Sequence, residues 1–147
     1  MIVDAALGEP VGMCGVDHWS STDVALFGYW LAAGARGRGL ATRAVTLMTA
    51  WLFELGAARV FLKIQSENAA SAAVARRAGF RFEGTLRADG VWQGQRKDVN
   101  VFALVPDEVV GRGHLTAPYR QLEAYPFQRQ ALRCGSSVFT MEPVIVG

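Results

Sequence analysis

Very little in this sequence points to redox, metal or membrane chemistry. Its 147 residues hold two cysteines, Cys14 and Cys134, and two histidines, His18 and His114. The cysteines are far apart and match no metal-ligand spacing. Both read as buried small hydrophobes, in a reducing cytoplasmic setting. Each histidine is isolated, which suits a surface or packing residue better than a base. No run of about 18 apolar residues is available to span a membrane. The start, Met1-Ile2-Val3-Asp4, has no basic segment followed by an apolar stretch, so no secretory signal is read there. Charged residues are scarce as well, at 19% against 51% hydrophobic, a balance that excludes wholesale disorder. The formal net charge of +2 accommodates an anionic cofactor without calling for nucleic acid or membrane as a partner.

What is present suits one compact domain with a core of its own. Residues 3–16 read as a hairpin turning at Leu7-Gly8-Glu9-Pro10. A strand over 24–31, rich in large apolar residues, follows the polar cluster 20–23. Residues 32–39 form a loop of small residues, three glycines and two arginines. A helix then begins near Leu40, its stripe of Ala41, Ala44, Val45, Met48, Trp51, Leu52 and Leu55 falling at helical spacing, and Gly56 stops it. Residues 58–65 alternate as a strand. Asn68 is a good N-cap for a second helix through Ala78, with Arg76 and Arg77 in its last turn and Gly79 ending it. Strands over 80–86 and 99–104 follow, with Asp89-Gly90 or Gln93-Gly94 available for the turn. This order predicts an α/β or α+β domain around a mixed sheet. After Pro106 the periodicity fades; a short helix over 122–132 and a strand over 138–146, interrupted by Pro143, are the candidates there.

The informative segment is Ala35-Arg36-Gly37-Arg38-Gly39-Leu40-Ala41-Thr42. Small residues let a ligand approach the backbone, and the following helix adds free N–H groups and the positive end of its dipole. That combination suits a pyrophosphate, with Arg36, Arg38 and Arg43 contributing charge. Two familiar phosphate loops do not fit. A P-loop needs a lysine where Leu40 stands, and a dinucleotide fingerprint needs a third glycine where Thr42 stands.

Arg36 to Ala41 follows R-x-x-G-x-A, which resembles the acyl-coenzyme A signature of the Gcn5-related N-acetyltransferase (GNAT) superfamily. The flanks match too. Gly28-Tyr29-Trp30-Leu31 looks like the family's splayed central strand, and Asn68-Ala69-Ala70-Ser71 with Ala78-Gly79-Phe80 looks like its later helix. Glu83-Gly84 and Asp98-Val99 complete a pattern similar to the ribosomal-protein N-terminal acetyltransferase (RimJ/RimL-like) branch. The resemblance spans 11–104. It implies a mixed, mostly antiparallel sheet flanked by helices, with splayed central strands, and a domain over 1–105 that is short at its N-terminus. Residues 106–147 are then a C-terminal extension of unassigned role.

The resemblance also implies acetyl transfer from acetyl-coenzyme A to an amine, borne by a small molecule or a peptide N-terminus. Arg36, Gly37, Arg38, Gly39, Leu40, Ala41 and Thr42 would hold the pyrophosphate. Tyr29, Trp30, Leu31 and Ala32 would offer backbone to the pantetheine arm, one N–H polarising the thioester carbonyl. Asn68 would bond the arm from the opposite wall, and Ser71 would both line it and donate to the departing sulfur. The family's usual tyrosine acid is replaced by Ala75. Its usual glutamate bases are replaced by Leu26 and Gly90, which leaves Asp89 as the nearest substitute, with Glu83 and a water chain as other options. Asp98 is expected to fix backbone near the last strands. A catalytically degenerate coenzyme A-binding module is the alternative these losses allow. A basic nucleic-acid-binding surface through Arg36, Arg38, Arg43, Arg76, Arg77, Arg81 and Arg87 is another, though it lacks interleaved aromatics. Apolar surface left by the short N-terminus would favour a homodimer.

Overall fold

The computed structural model describes residues 1–111, 114–115 and 144–146. Its elements run β1 (Ile2–Asp4), β2 (Glu9–Trp19), β3 (Val24–Leu31), a 3₁₀ turn (Ala33–Ala35), α1 (Leu40–Glu54), β4 (Arg59–Gln65), α2 (Ala69–Arg77), β5 (Arg81–Trp92), β6 (Gln95–Leu104) and a short α3 (Pro106–Val109). Three brief strands follow, β7 (Val110–Gly111), β8 (His114–Leu115) and β9 (Val144–Val146). The main sheet has the order β5-β6-β4-β3-β2-β1-β9. Its neighbours are antiparallel except for β3 with β4 and β1 with β9.

The core forms where the apolar stripe of α1 meets alternate residues of the central strands. Leu40, Ala44, Val45, Met48 and Leu52 are buried on α1, against Phe27 of β3, Val60 and Leu62 of β4 and Phe102 of β6. Thr46 and Thr49 are buried on the same helix. Their hydroxyls donate to the carbonyls of Thr42 at 2.9 Å and Val45 at 2.8 Å, so both buried threonines are satisfied. The helix ends as expected: Gly56 takes φ 99° and Ala57 N–H returns to Leu52 O. On α2, Asn68 Oδ1 accepts from Ser71 N at 3.0 Å as the expected N-cap, and Arg76 lies over the Phe102 ring at 5.3 Å. Both helices therefore cover one face of the sheet.

Of the two turns available between the last strands, Gln93-Gly94 is the one used. Both residues have positive φ, 48° and 75°, which matches the twist of a tight hairpin. Asp89-Gly90 instead lies inside β5, at a register shift between Leu86 and Gly90, so β5 runs well past 86. Asp98 holds this bulge by accepting from Ala88 N at 2.8 Å, the backbone-fixing role expected of it. Residues 122–132 lie outside the described residues, as does 138–143. The last three residues of the expected C-terminal strand are described, and β9 pairs alongside β1, so the extension adds an edge strand to the domain's own sheet.

The feature that shapes everything else is the parting of β3 and β4. They pair only through Val24↔Arg59, Ala25↔Val60 and Leu26↔Phe61. Beyond that, β3 continues on β2 to Leu31 while β4 continues on β6 to Gln65. A notch opens between them, as the splayed strand pattern implies.

Leu52 is fully buried in the last turn of α1. Leu52→Ala is expected to lower unfolding stability by about 3 kcal/mol in urea titration, through lost burial and the cavity left behind.

Candidate functional site

The notch runs toward the loop between β3 and α1. Gly37 and Gly39 take φ 76° and 79°, and a Cβ on either would meet nothing within 4 Å. Backbone conformation, not crowding, makes them glycine. The N-cap of α1 is Gly39, with no side-chain cap and no acidic residue in the first turn. Among the described residues, the amides of Gly37, Arg38, Gly39, Leu40, Ala41 and Thr42 make no hydrogen bond; helical bonding resumes with Arg43 N to Gly39 O. Six consecutive unpaired donors at the positive end of a 15-residue helix make an anion site.

Two of the arginines brace this loop. Arg36 Nε donates to Leu31 O at 3.2 Å, tying the loop to the end of β3. Arg38 Nη1 sits 2.6 Å from Asp4 Oδ2, an ion pair that ties it to β1. Asp4 is 1% exposed and also accepts from Ala6 N at 3.0 Å. Burial opposes its ionised form, but the Ala6 amide and the Arg38 guanidinium outweigh it and hold the carboxyl below its ordinary value. Arg43 is exposed in the first turn of α1, next to the unpaired amides.

The walls of the notch follow from strand alternation. Ala32 N donates to Val11 O, so Ala32, and Trp30 two residues before it, turn their main chains toward β2. Tyr29 and Leu31 turn theirs the other way, into the notch. Of the four residues expected to offer backbone there, these two do so, and the Leu31 carbonyl is already held by Arg36. The opposite wall is the start of α2. Asn68 spends its carbonyl oxygen on the Ser71 amide, which leaves its NH₂ group for a ligand. The Tyr29 hydroxyl is buried and has no hydrogen-bond partner. Burial pushes its pKa up and the neighbouring Ser71 side chain pulls it partly back, so the phenol stays protonated. A buried hydroxyl without a hydrogen-bond partner, beside Ser71 in the first turn of α2, is a polar group that a ligand could satisfy.

The remaining candidates are distributed around this site. Asp89 pairs with Lys63 Nζ at 2.8 Å, joining β5 to β4. Glu83 is engaged bidentately by Arg59. Cys14 is buried as expected, its thiol pushed up to about 12 by that burial, so it stays neutral; Cys134 lies outside the described residues. His18 is exposed. Ala75 is fully buried, so no side chain reaches out from the position of the family's tyrosine. Among the described residues no cluster of His, Cys, Asp or Glu could hold a metal, and no helix is long and apolar enough to cross a membrane. Sequence reasoning missed two groups, the Tyr29 hydroxyl and Asp17. Asp17 Oδ2 lies 3.0 Å from where a Cβ on Gly28 would stand, and the only sequence signal was a glycine inside an apolar strand.

The Asp4 carboxylate stabilises the fold above its ordinary value of 3.8, and this contribution fades as pH falls through the lowered folded value. Asp4→Asn is expected to melt at lower temperature than the wild type at neutral pH, with the gap narrowing below about pH 4 in thermal scans.

A family model described as an acetyltransferase (GNAT) domain matches residues 1–81. Solved structures with the same arrangement include the microcin C7 self-immunity acetyltransferase MccE in complex with acetyl-CoA and AMP, 29% identical, TM-score 0.61, covering 65% of this chain and 54% of that one. RimL, a ribosomal L7/L12 alpha-N-protein acetyltransferase in complex with coenzyme A, is 28% identical, TM-score 0.62, covering 67% and 56%. RimJ of Mycobacterium smegmatis, in complex with CoA-disulfide, is 28% identical, TM-score 0.70, covering 80% and 56%. The chain thus spans little more than half the length of these relatives. Among curated proteins, none matches the sequence.

Proposed function

The chain belongs to the GNAT acetyltransferase family, and from that premise we propose that it transfers the acetyl group of acetyl-coenzyme A to a primary amine, with a peptide or protein N-terminus as acceptor. The observation that carries this reading is the parting of β3 and β4 beside a run of unpaired amides. The amides of 37–42 fit a pyrophosphate, and the notch fits an extended arm ending in a thioester. RimL, RimJ and MccE, which bind coenzyme A or acetyl-CoA, support the donor, and RimL's protein substrate supports the acceptor. A cytoplasmic setting accords with Cys14 being a free, buried cysteine. Met13 and Trp30, exposed on the sheet face opposite α1 and α2, give a second copy an apolar surface to cover.

The chemistry divides between backbone and side chains. The N–H groups of Tyr29 and Leu31 point into the notch, where either polarises the thioester carbonyl and stabilises the charge that grows on its oxygen. The amine nitrogen attacks the carbonyl carbon, the C–N bond forms, the C–S bond breaks, and sulfur leaves as thiolate. Ser71, beside the orphaned Tyr29 hydroxyl, is assigned to protonate that sulfur. The carboxylates of the uncovered face are assigned to take the ammonium proton, Asp89 being the one the sequence singles out. The nucleic-acid alternative is weakened by Arg36 and Arg38, which spend their side chains on Leu31 and Asp4.

Gly39→Asp puts a carboxylate at the anion site and is expected to weaken acetyl-CoA binding about 100-fold in calorimetry, through like-charge repulsion. Gly39→Asn shares its shape without the charge and is expected to lose much less; equal affinity in wild type and Gly39→Asp would sink the reading. Ser71→Ala is expected to slow acceptor-dependent thiol release roughly 100-fold with acetyl-CoA binding retained. A wild-type chain that binds acetyl-CoA but releases no thiol over a panel of amines and peptides would be the degenerate binding module instead.

A further inference from the structure

α1 and α2 cover the sheet face that carries Phe27, Leu62 and Phe102. Among the described residues no helix covers the opposite face, and on β3 alternation assigns Leu26, Gly28 and Trp30 to it. Alternation from Val16 puts Asp17 on this face, at an irregularity in β2. The ladder with β3 pairs Val16↔Phe27 and then His18↔Leu26, so Asp17 is the extra residue of a bulge. A bulge re-aims a side chain. Here it lays the carboxylate over Gly28, with Oδ2 3.0 Å from the Cβ position, where any larger residue would crowd it.

Three properties set Asp17 apart from the other carboxylates of this face. It has no hydrogen bond or ion pair among the described residues, whereas Asp89 is held by Lys63 and Glu83 by Arg59. It stands over the part of β3 that has left β4, directly next to Tyr29, whose main chain faces the notch. Partial burial raises its pKa above the ordinary carboxylate value, the direction a base requires. The strand beside it, β3, carries no charged residue, and its nearest titratable neighbours on β2 are His18 and Cys14, whose thiol burial keeps neutral.

We propose that Asp17 is the base for the transfer, receiving the acceptor ammonium from the open face of the sheet while the thioester lies in the notch. This rests on the acetyl-transfer reading above and assigns one of its roles. The ammonium gives a proton to the Asp17 carboxylate, and the freed nitrogen attacks the carbonyl carbon as described. Of the two protons the nitrogen sheds on becoming an amide, one passes through Asp17 to water. The other balances the proton taken up by the departing thiolate. Solvent reaches the exposed Asp17 side chain, so the base is reset after each turnover. An amine bearing positive charge is the acceptor this geometry selects, which fits a peptide N-terminus and disfavours a neutral hydroxyl.

The test compares the full-length wild type with Asp17→Asn and Asp89→Asn. It measures thiol release with free-N-terminus peptides and small primary amines, acetyl-CoA affinity by calorimetry, and melting. In Asp17→Asn, kcat is expected to fall about 100-fold near neutral pH, with acetyl-CoA affinity and melting close to wild type. The loss should shrink as pH rises and the acceptor deprotonates unaided, a recovery that a merely structural role would not produce. Asp89→Asn is expected to lose less. Wild-type turnover in Asp17→Asn, a matching collapse of acetyl-CoA affinity, or a loss confined to Asp89→Asn would each overturn the assignment. So would a wild-type chain that binds acetyl-CoA and acetylates no amine. Failure of the wild type to bind acetyl-CoA at all would overturn the underlying reading, and this assignment with it.

Discussion

Main-chain hydrogen bonding has to be satisfied somewhere, and in this molecule one stretch of it is left for a ligand. β3 and β4 share three residue pairs and then part. Each keeps its other neighbour, so the sheet stays intact while the inner edges of β3 and β4 lose their partners. The same deficit continues through the loop, where six successive amides go unbonded before α1 closes its first turn. Unpaired peptide groups cost free energy unless solvent or a ligand meets them, and here both runs lie along one path. A ligand with an anionic end and an extended amide-bearing arm meets both at once, because each is a main-chain feature lying in sequence order from β3 to α1.

Holding that path open requires rigidity around it. Arg36 fastens the loop to the last carbonyl of β3, and Arg38 fastens it to Asp4 in β1. Asp4 in turn accepts from Ala6 N through its side chain, while its main-chain oxygen receives Leu7 N and Gly8 N. A three-residue strand far from the notch in the sheet order thereby fixes the loop that would bind phosphate. β9 pairs with the outer side of that strand, so the C-terminal segment contributes to the same support. The arginines were read from sequence as charge for the ligand. Their partners show a second use, positioning the amides proposed to hold the pyrophosphate, with Arg43 left exposed beside them.

The legible parts of the fold were those governed by local rules. Helical spacing from Leu40, the Asn68 cap and the stops at Gly56 and Gly79 all depend on short-range geometry, and each forms where the sequence places it. The hairpin turn was ambiguous because Asp89-Gly90 and Gln93-Gly94 carry equivalent turn chemistry. Pairing of β5 with β6 decided between them, and that is a long-range choice. The conformation of the loop before α1 was legible because glycines with left-handed backbone must be written into the sequence. Which of Tyr29, Trp30, Leu31 and Ala32 would face the notch was not, since strand alternation is set by the ladder to β2 rather than by residue type.

Proton-handling groups were the least legible, for a physical reason. Backbone binding needs a contiguous stretch, so it leaves a motif. A base needs one carboxylate in the right place, and any element that reaches the spot can supply it. The family position at Leu26 projects from β3 itself, whereas Asp17 arrives from the neighbouring strand, at the bulge that β2 makes between Val16 and His18. The bulge shifts register by one residue, so the carboxylate lies against Gly28 through a pairing between strands that the sequence of β2 alone does not announce. Gly28 is the trace it leaves: the strand gives up a side chain at the point where the carboxylate of its neighbour lies across it.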